Sequence, residues 1–229
     1  KNTYFFVSFS GGKDSGLLLN LVLDFQRKYY PNKKIGVFHQ DFEAQYTVTT
    51  EYVERTFQRI QDEVEPYWVC LPMATRTALS SYQMYWYPWD DTKQEAWVRP
   101  MPQYSYVIHL ENNPITTYHY RMHQEDLAKQ FGRWYRIAHN NGKTVCLLGI
   151  RTDESLQRYS GILNKKYGYK NKCWISRQFK DVWAASPIYD WSNSDVWHAN
   201  YIFEYDYNKL YDLYYMAGLK PDQMRVASP

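Results

Sequence analysis

The chain has 229 residues, of which 45% are hydrophobic and 22% charged, a balance typical of a folded globular protein and unlike that of a disordered chain. Its net charge of +3 is too small to indicate nucleic-acid binding by itself, and no stretch is apolar over the length that a membrane span needs. Three widely spaced cysteines and the lack of a Cys-x-x-Cys motif argue against a disulfide framework, structural zinc or an iron–sulfur cluster, so we expect a cytoplasmic protein.

The first predicted elements are a strand, a loop of small residues and a helix. An apolar run over residues 4–9 predicts a buried strand, residues 10–15 spell Ser-Gly-Gly-Lys-Asp-Ser, and residues 14–28 carry a leucine-rich helical pattern. Two adjacent glycines allow the main chain to bend sharply and to bring its N–H groups close to an anion. The first helical turn adds unpaired N–H groups and the positive end of the helix dipole. The pattern predicts a phosphate-binding loop; the alternative is an ordinary turn in which Ser10 or Ser15 caps the helix.

The next elements continue the alternation of strand and helix. Residues 35–39 predict a second strand, 47–64 a helix and 67–72 a third strand. This alternation predicts an α/β fold with a doubly wound, mostly parallel, Rossmann-like sheet. Ligands of such sheets lie beyond the carboxyl ends of the strands, so Asp41 is expected to contact a ribose hydroxyl or a metal, or else to cap the following helix.

Residues 73–117 interrupt this alternation and predict an aromatic-rich insertion. A long irregular segment in a folded domain is usually functional, which favours a platform for a substrate or a protein partner. The alternative is a small core packed on the main domain. The aromatic residues on which both interpretations depend are Tyr82, Tyr85, Trp86, Tyr87, Trp89 and Trp97.

A helix over residues 127–140 and a buried strand over 144–150 follow the insertion. The strand delivers Arg151 at its carboxyl end, where a guanidinium can hold a phosphate through two parallel hydrogen bonds. Gly149 is expected to allow a nucleotide to approach closely. The alternative for the arginine is a structural ion pair with Glu154.

The last third of the chain combines a basic stretch with two predicted helices. Residues 158–180 could hold an acidic substrate or a nucleic-acid backbone, and could equally form a solvated loop. Ser192 and Asp195 have the spacing that opens a helix, and residues 207–217 predict a final amphipathic helix. We therefore expect a single domain over residues 1–229 with a C-terminal helical segment at 193–229. The basic residues of the stretch are Arg158, Lys165, Lys166, Lys170, Lys172, Arg177 and Lys180.

Three segments together resemble a known family: residues 10–15, residues 149–155 and residues 187–197. They resemble the phosphoadenosine phosphosulfate (PAPS) reductase-like branch of the adenine nucleotide α-hydrolase superfamily, whose PP-loop members cut ATP between the α- and β-phosphates. The branch acts in sulfur metabolism and includes reductases and transferases. The tail from residue 207 is similar to that of immunoglobulin-binding regulator A-type coregulators, which implies a ParB-like protein partner, expected here on the aromatic segment 82–97.

The resemblance implies a nucleotide, ATP or PAPS, and Mg²⁺. The catalytic residues implied are Lys13, Asp14 and Arg151, with Asp14 also helping to bind the metal. The nucleotide-binding residues implied are Ser10, Gly11, Gly12, Lys13, Ser15, Asp41, Gly149 and Arg151. We therefore expect an ATP pyrophosphatase or adenylyltransferase.

One departure from the family pattern bears on the reaction. PAPS reductases carry a nucleophilic cysteine in a C-terminal Glu-Cys-Gly-Leu-His tail, and this chain has no cysteine after Cys173. Two alternatives stay open: sulfonucleotide reduction with a thiol from outside this chain, and a non-catalytic nucleotide-sensing module in a regulatory or antiphage complex.

Overall fold

A seven-stranded sheet forms the centre of the computed structural model, which describes residues 2–77, 80–163 and 169–226. The strands are β1 (Thr3–Ser8), β2 (Gly36–Gln40), β3 (Glu65–Val69), β4 (Thr75–Arg76), β5 (Tyr85–Trp86), β6 (Val107–Ile108), β7 (Lys143–Leu148), β8 (Ile175–Phe179) and β9 (Val182–Ala185). The order in the main sheet is β6-β3-β2-β1-β7-β9-β8, and all its neighbours are parallel except β8 and β9. The predicted mostly parallel sheet is confirmed.

Helices cover both faces of this sheet. They are α1 (Lys13–Tyr29), α2 (Thr47–Ile60), α3 (Gln124–Ala138), α4 (Leu156–Leu163), α5 (Asn193–Ile202) and α6 (Leu210–Met216). Successive side chains of a strand point to opposite faces, so Val7 packs in the core with α1 and α2, whereas Phe6 packs in the core with α3. Both side chains are fully buried, as expected for a sheet covered on two sides. None of the helices in the described part of the chain is both long and apolar enough to cross a bilayer.

The strand order fixes where a crevice opens. The chain leaves β1 toward β2 on one side, and its later part returns to pair β7 on the other side of β1. Connections therefore diverge at the carboxyl ends of β1 and β7, which is the usual position of a ligand in an open α/β sheet. This topology brings residues 9–15 beside residues 149–155, although they lie more than 130 positions apart in sequence.

The segment predicted as an insertion is partly built into the sheet and its core. Strand β6, at residues 107–108, pairs with β3 at one edge of the sheet. Trp89 is buried in the core, and Trp97 packs edge-on against it with ring centroids 5.1 Å apart. Tyr82, in contrast, is fully exposed. The aromatic content of this segment is therefore partly core filling, while its use as a partner platform stays a prediction.

The boundaries of several elements differ from those predicted. The third strand begins at Glu65 and ends before the predicted stop at Pro72, and the last helix begins at Leu210 rather than at 207. The later start arises because the Asn208 side chain accepts a hydrogen bond from the Leu210 N–H and holds the preceding chain out of the helix. The predicted opening of α5 is confirmed, since Ser192 and Asp195 cap each other's main-chain N–H groups.

Parts of three sequence predictions fall on undescribed residues. Lys165 and Lys166 of the basic stretch lie outside the described residues, as do residues 78–79 of the insertion and 227–229 of the C-terminal segment. Within the described part, Lys170 and Lys180 are exposed. A nucleic-acid interface there stays a prediction.

Candidate functional site

A cavity of about 620 Å³ lies at the carboxyl ends of β1 and β7. Its walls come from the loop at 10–15, from residues 149–155 and from the C-terminal residues 221–226. This volume is within the usual range for small-molecule sites. The cavity collects seven of the sequence-predicted site residues: Ser10, Gly12, Lys13, Asp14, Ser15, Gly149 and Arg151.

A carboxylate between two cations forms the base of this site. Asp14 accepts a hydrogen bond from the Lys13 Nζ at 2.8 Å and another from the Arg151 Nε at 2.6 Å. Arg151 lies 137 positions after Asp14 in sequence, and all three residues are buried. Buried charges are tolerated when they are paired, and the Asp14 carboxylate is paired with both cations. We call Lys13, Asp14 and Arg151 the trio.

Arg151 is fixed by further contacts at the rim of the trio. Its Nη1 donates to the Trp191 carbonyl at 3.1 Å and to the Asp153 carboxylate at 3.3 Å. Its Nη2 has no hydrogen-bond partner among the described residues, although a guanidinium presents five donors. The predicted structural pair with Glu154 does not form; Arg151 pairs with Asp153 instead.

Glu154 lies in the same cavity and pairs elsewhere. Its carboxylate forms an ion pair with the Arg158 Nε at 3.4 Å, four residues onward. Burial raises the pKa of the Glu154 carboxyl, with the nearby charge of Asp14 acting in the same direction. The cavity wall is thus polar and carries both signs of charge.

The loop at 10–15 is held by its two serines. The hydroxyls of Ser10 and Ser15 lie 2.9 Å apart, and the Ser10 N–H donates to the Ser15 hydroxyl at 3.2 Å. Helix α1 begins after Gly12, which as N-cap residue makes no side-chain hydrogen bond. The alternative in which Ser10 or Ser15 caps the helix is therefore not what the structure shows. A helix N-terminus that its own loop leaves uncapped and that faces a cavity favours an anion.

Two glycines of the site serve the packing of the chain itself. Gly11 has φ of +78°, and an added Cβ would lie 3.0 Å from methyl groups of Thr49 and Val53 on α2, away from the cavity. An added Cβ at Gly149 would lie 2.7 Å from the Ser15 nitrogen and 2.8 Å from the Asp14 carbonyl carbon. The close approach expected at Gly149 is therefore that of β7 to the first turn of α1.

Asp41 is not brought to this cavity. Its carboxylate is completely buried and accepts from the Arg99 Nη2 at 2.6 Å, from the Trp68 Nε1 at 2.6 Å and from the Glu43 N–H at 2.7 Å. It does not cap α2 either, because the N-cap of that helix is Tyr46. Asp41 anchors Arg99, and this arrangement leaves its carboxylate no room for a ribose or a metal.

Asp14 is the predicted metal ligand of the site. Each of its carboxylate oxygens accepts one hydrogen bond from a cation, which leaves one lone pair free on each oxygen, while the two neighbouring cations oppose a metal ion held by Asp14 alone. Binding of Mg²⁺ through Asp14 therefore stays a prediction. Within the described residues, no three His, Cys, Asp or Glu side chains are grouped in a way that could hold a metal ion.

Sequence reasoning missed the contribution of the C-terminal residues. The Lys13 N–H donates to the Tyr211 hydroxyl at 3.0 Å, and the Asn208 side chain donates to the Gly11 carbonyl at 2.9 Å. Arg225 also lines the cavity and donates to the Glu154 carbonyl at 2.6 Å. The helical pattern at 207–217 marked this region as structured, but no local signal relates it to a loop almost 200 residues away.

Comparison with known proteins agrees with this architecture. A family model described as the phosphoadenosine phosphosulfate reductase domain matches residues 4–217. The chain belongs to this family. It is also 36% identical over 229 residues to the uncharacterized protein YbdN of Escherichia coli K12, an alignment that covers 97% of this chain and 53% of YbdN. The chain thus spans about half the length of this curated relative.

Solved structures with a related fold include three enzymes. A phosphoadenylyl-sulfate reductase from Candida auris, in a phosphate complex, is 13% identical with a TM-score of 0.44, covering 93% of this chain and 78% of that one. The Candida glabrata FMN adenylyltransferase with FMN and the ATP analogue AMPCPP is 15% identical with a TM-score of 0.49, covering 92% and 52%. The U34-tRNA thiolase NcsA of Methanococcus maripaludis is 13% identical with a TM-score of 0.48, covering 91% and 59%. Similarities of this extent say nothing of the activity of this chain.

The described cysteines do not supply a thiol at the cavity. Cys70 and Cys146 are buried, and burial raises the pKa of both thiols, which disfavours the reactive thiolate. Cys173 is partly exposed, and neither it nor the other two cysteines lines the cavity in the described part of the chain. A reductase of this family would therefore need a thiol from elsewhere.

Proposed function

We propose that this chain binds ATP in the cavity between β1 and β7 and cleaves it between the α- and β-phosphates, transferring the adenylyl group to an acceptor. The observation that carries the proposal is the Lys13–Asp14–Arg151 trio at the N-terminus of α1. Two cations beside the positive end of a helix dipole favour a polyanion over a neutral ligand. Membership of a sulfonucleotide-acting family supports an adenine nucleotide as that anion.

Different residues of the site contact different phosphates of the bound ATP. The main chain of the loop at Ser10 and Gly12, the Ser15 hydroxyl and the Lys13 ammonium surround the β- and γ-phosphates. Arg151 directs its Nη2, which has no protein partner among the described residues, to the α-phosphate. Asp14 holds the two cations in place and so acts through them.

The reaction needs positioning and charge stabilisation rather than a nucleophilic side chain. An acceptor oxygen attacks the α-phosphorus in line, an O–P bond forms, and the bond from the α-phosphorus to the bridging oxygen breaks. The electron pair and negative charge pass to the departing pyrophosphate, where Lys13 and the α1 N-terminus stabilise them. Asp14 already holds the donors of Lys13 and Arg151 in position, so these side chains need little reorganisation during the step.

The alternative of sulfonucleotide reduction is less well supported. It rests on the family, and it requires a thiol that attacks the sulfonate sulfur. None of the described cysteines lines the cavity. The reductase alternative predicts tight binding of adenosine 3′,5′-bisphosphate and thioredoxin-dependent release of sulfite, and the sensing alternative predicts ATP binding without turnover.

Removing the Lys13 ammonium tests the proposal directly. With ATP labelled at the α-phosphate, the wild-type chain should release pyrophosphate and form AMP or an adenylated product. Lys13→Ala should lower the rate about 100-fold or more, the usual loss for one preorganised charge or donor in a phosphoryl-type transition state.

The exposed Lys33, in the segment between α1 and β2, supplies a matched control, since Lys33→Ala removes the same charge from the surface. It should leave the rate unchanged. Full activity of Lys13→Ala would refute the assignment, and sulfite release from a sulfonucleotide would establish the reductase alternative.

A further inference from the structure

A tyrosine from the C-terminal helix reaches the N-terminus of α1. The hydroxyl of Tyr211, on α6, accepts the Lys13 main-chain N–H at 3.0 Å and lines the cavity. The Lys13 ammonium also lies over the Tyr211 ring, 5.9 Å from its centroid. The side chain is only 4% exposed, so its position is set by the protein rather than by solvent.

The proton of this hydroxyl has no acceptor within the described residues. A phenol oxygen can accept a hydrogen bond and donate one, and Tyr211 uses only its acceptor capacity, toward Lys13. Because Tyr211 lines the cavity, its hydroxyl can donate this proton to an acceptor that the cavity holds.

Neighbouring contacts hold the Tyr211 ring in one place. The indole of Trp197 packs edge-on against it, with ring centroids 5.3 Å apart at 78°. Three residues before Tyr211, the Asn208 amide donates to the Gly11 carbonyl and to the Thr49 hydroxyl, each at 2.9 Å. The C-terminal helix is thereby fastened to the loop and cannot carry Tyr211 away without breaking these bonds.

We propose that Tyr211 is an anion-binding residue of the cavity, which donates its O–H hydrogen bond to a phosphate oxygen of the bound nucleotide. The inference rests on the proposed nucleotide binding and adds to it a contact from a part of the chain remote from the loop. Because the same oxygen accepts the Lys13 N–H, the hydroxyl extends the row of donors at the helix N-terminus into the cavity.

The chemistry of the phenol suits this role. Burial raises the pKa of Tyr211, so the hydroxyl keeps its proton throughout the neutral range and stays a donor. A phosphate oxygen is a charged acceptor, and hydrogen bonds to charged groups are stronger than those between neutral groups.

Binding of a non-hydrolysable nucleotide tests the proposal. The dissociation constant of α,β-methylene-ATP should rise about ten- to one-hundredfold in Tyr211→Phe, which removes only the hydroxyl. Adenosine, which has no phosphate, should bind both proteins equally. Tyr207→Phe is the matched control, because Tyr207 packs on the same Trp197 ring but its hydroxyl binds Asp212 outside the cavity.

Binding of the analogue by the wild type and by Tyr211→Phe tests the proposed function and the inference separately. Equal or tighter binding of α,β-methylene-ATP by Tyr211→Phe would overturn the inference while leaving the proposed function intact, and tighter binding would show that the hydroxyl competes with phosphate for the Lys13 N–H. Failure of the wild-type chain to bind the analogue would overturn the proposed function itself.

A second measurement keeps the hydroxyl at position 211. With 3-fluorotyrosine placed at position 211 alone, the ¹⁹F resonance should shift on addition of pyrophosphate. An unchanged resonance at saturating pyrophosphate would contradict the contact.

Discussion

Gly149 has no Cβ, and this lets the end of strand β7 pack against the first turn of α1. A Cβ there would lie under 3.0 Å from three main-chain atoms of Asp14 and Ser15. Backbone cannot move aside as the end of a flexible side chain can, so the strain would fall on the residues that hold the trio together. The geometry of the site therefore depends on a residue that contributes no chemistry.

Gly149→Ala should lower the free energy of unfolding by about 2 kcal/mol, the usual cost of overpacking a close contact, and should also weaken nucleotide binding. Gly161→Ala is the matched control on the helix α4, since a Cβ there meets no atom of the described residues within 4 Å. That substitution should raise the free energy of unfolding by up to about 1 kcal/mol, because alanine favours a helix. Denaturant unfolding of both variants checks the comparison, and equal effects would contradict it.

At the scale of elements, the segment between β3 and α3 is fastened to the end of β2 by one buried ion pair. Arg99 donates to both Asp41 oxygens at 2.6 and 2.7 Å and to the Glu43 carbonyl at 2.9 Å. Glu43 in turn accepts the Trp89 N–H at 2.7 Å and the Val98 N–H at 2.9 Å, with its own backbone in the left-handed region at φ of +60°. The segment is thus part of the structural framework and not a detached lobe.

Arg99→Met should cost about 3–5 kcal/mol of unfolding free energy, because it leaves the Asp41 carboxylate buried without its cation. Arg121→Met removes a second arginine–aspartate pair of the same segment, in which Arg121 is about one-third exposed. That variant should lose only about 1–2 kcal/mol, since solvent replaces part of the interaction. If the two variants are equally stable in chemical denaturation, Asp41 is not held in the way described.

At the scale of the whole molecule, one buried histidine makes stability depend on pH. His39 is fully buried; its Nδ1 lies 2.8 Å from the Phe9 carbonyl oxygen, and its Nε2 has no partner among the described residues. Burial lowers the pKa of His39 below its ordinary value of 6.5, opposed by Asp41 and assisted by Arg99. The unfolded chain therefore binds a proton at mildly acidic pH that the native state excludes.

Stability should consequently be complete above about pH 7 and fall as the pH drops through 6.5, by at most about 1.4 kcal/mol per pH unit from this residue. His39→Gln cannot titrate, so its unfolding free energy should change less between pH 7 and pH 5, whatever its absolute stability. If the unfolding free energies of the wild type and of His39→Gln fall equally between pH 7 and pH 5, His39 is not the group that lowers stability at acidic pH.

A feature of the structure could be predicted from the sequence when the residues that determine it lie close together along the chain. The first strand, the loop and α1 could be predicted because hydrophobic period and turn chemistry are local, and the Ser192–Asp195 cap likewise spans four residues. The family membership was also recognisable from three short segments. The partners of Asp41 and Lys13 could not be found in this way, because Arg99 and Tyr211 lie 58 and 198 positions away in sequence.

The most direct test of the central claim is a crystal structure of the chain with α,β-methylene-ATP. We expect the β- and γ-phosphates at the N-terminus of α1 beside Lys13, and the α-phosphate within hydrogen-bonding distance of Arg151. A nucleotide bound outside the cavity, or bound inside it with its phosphates turned away from both cations, would contradict the account.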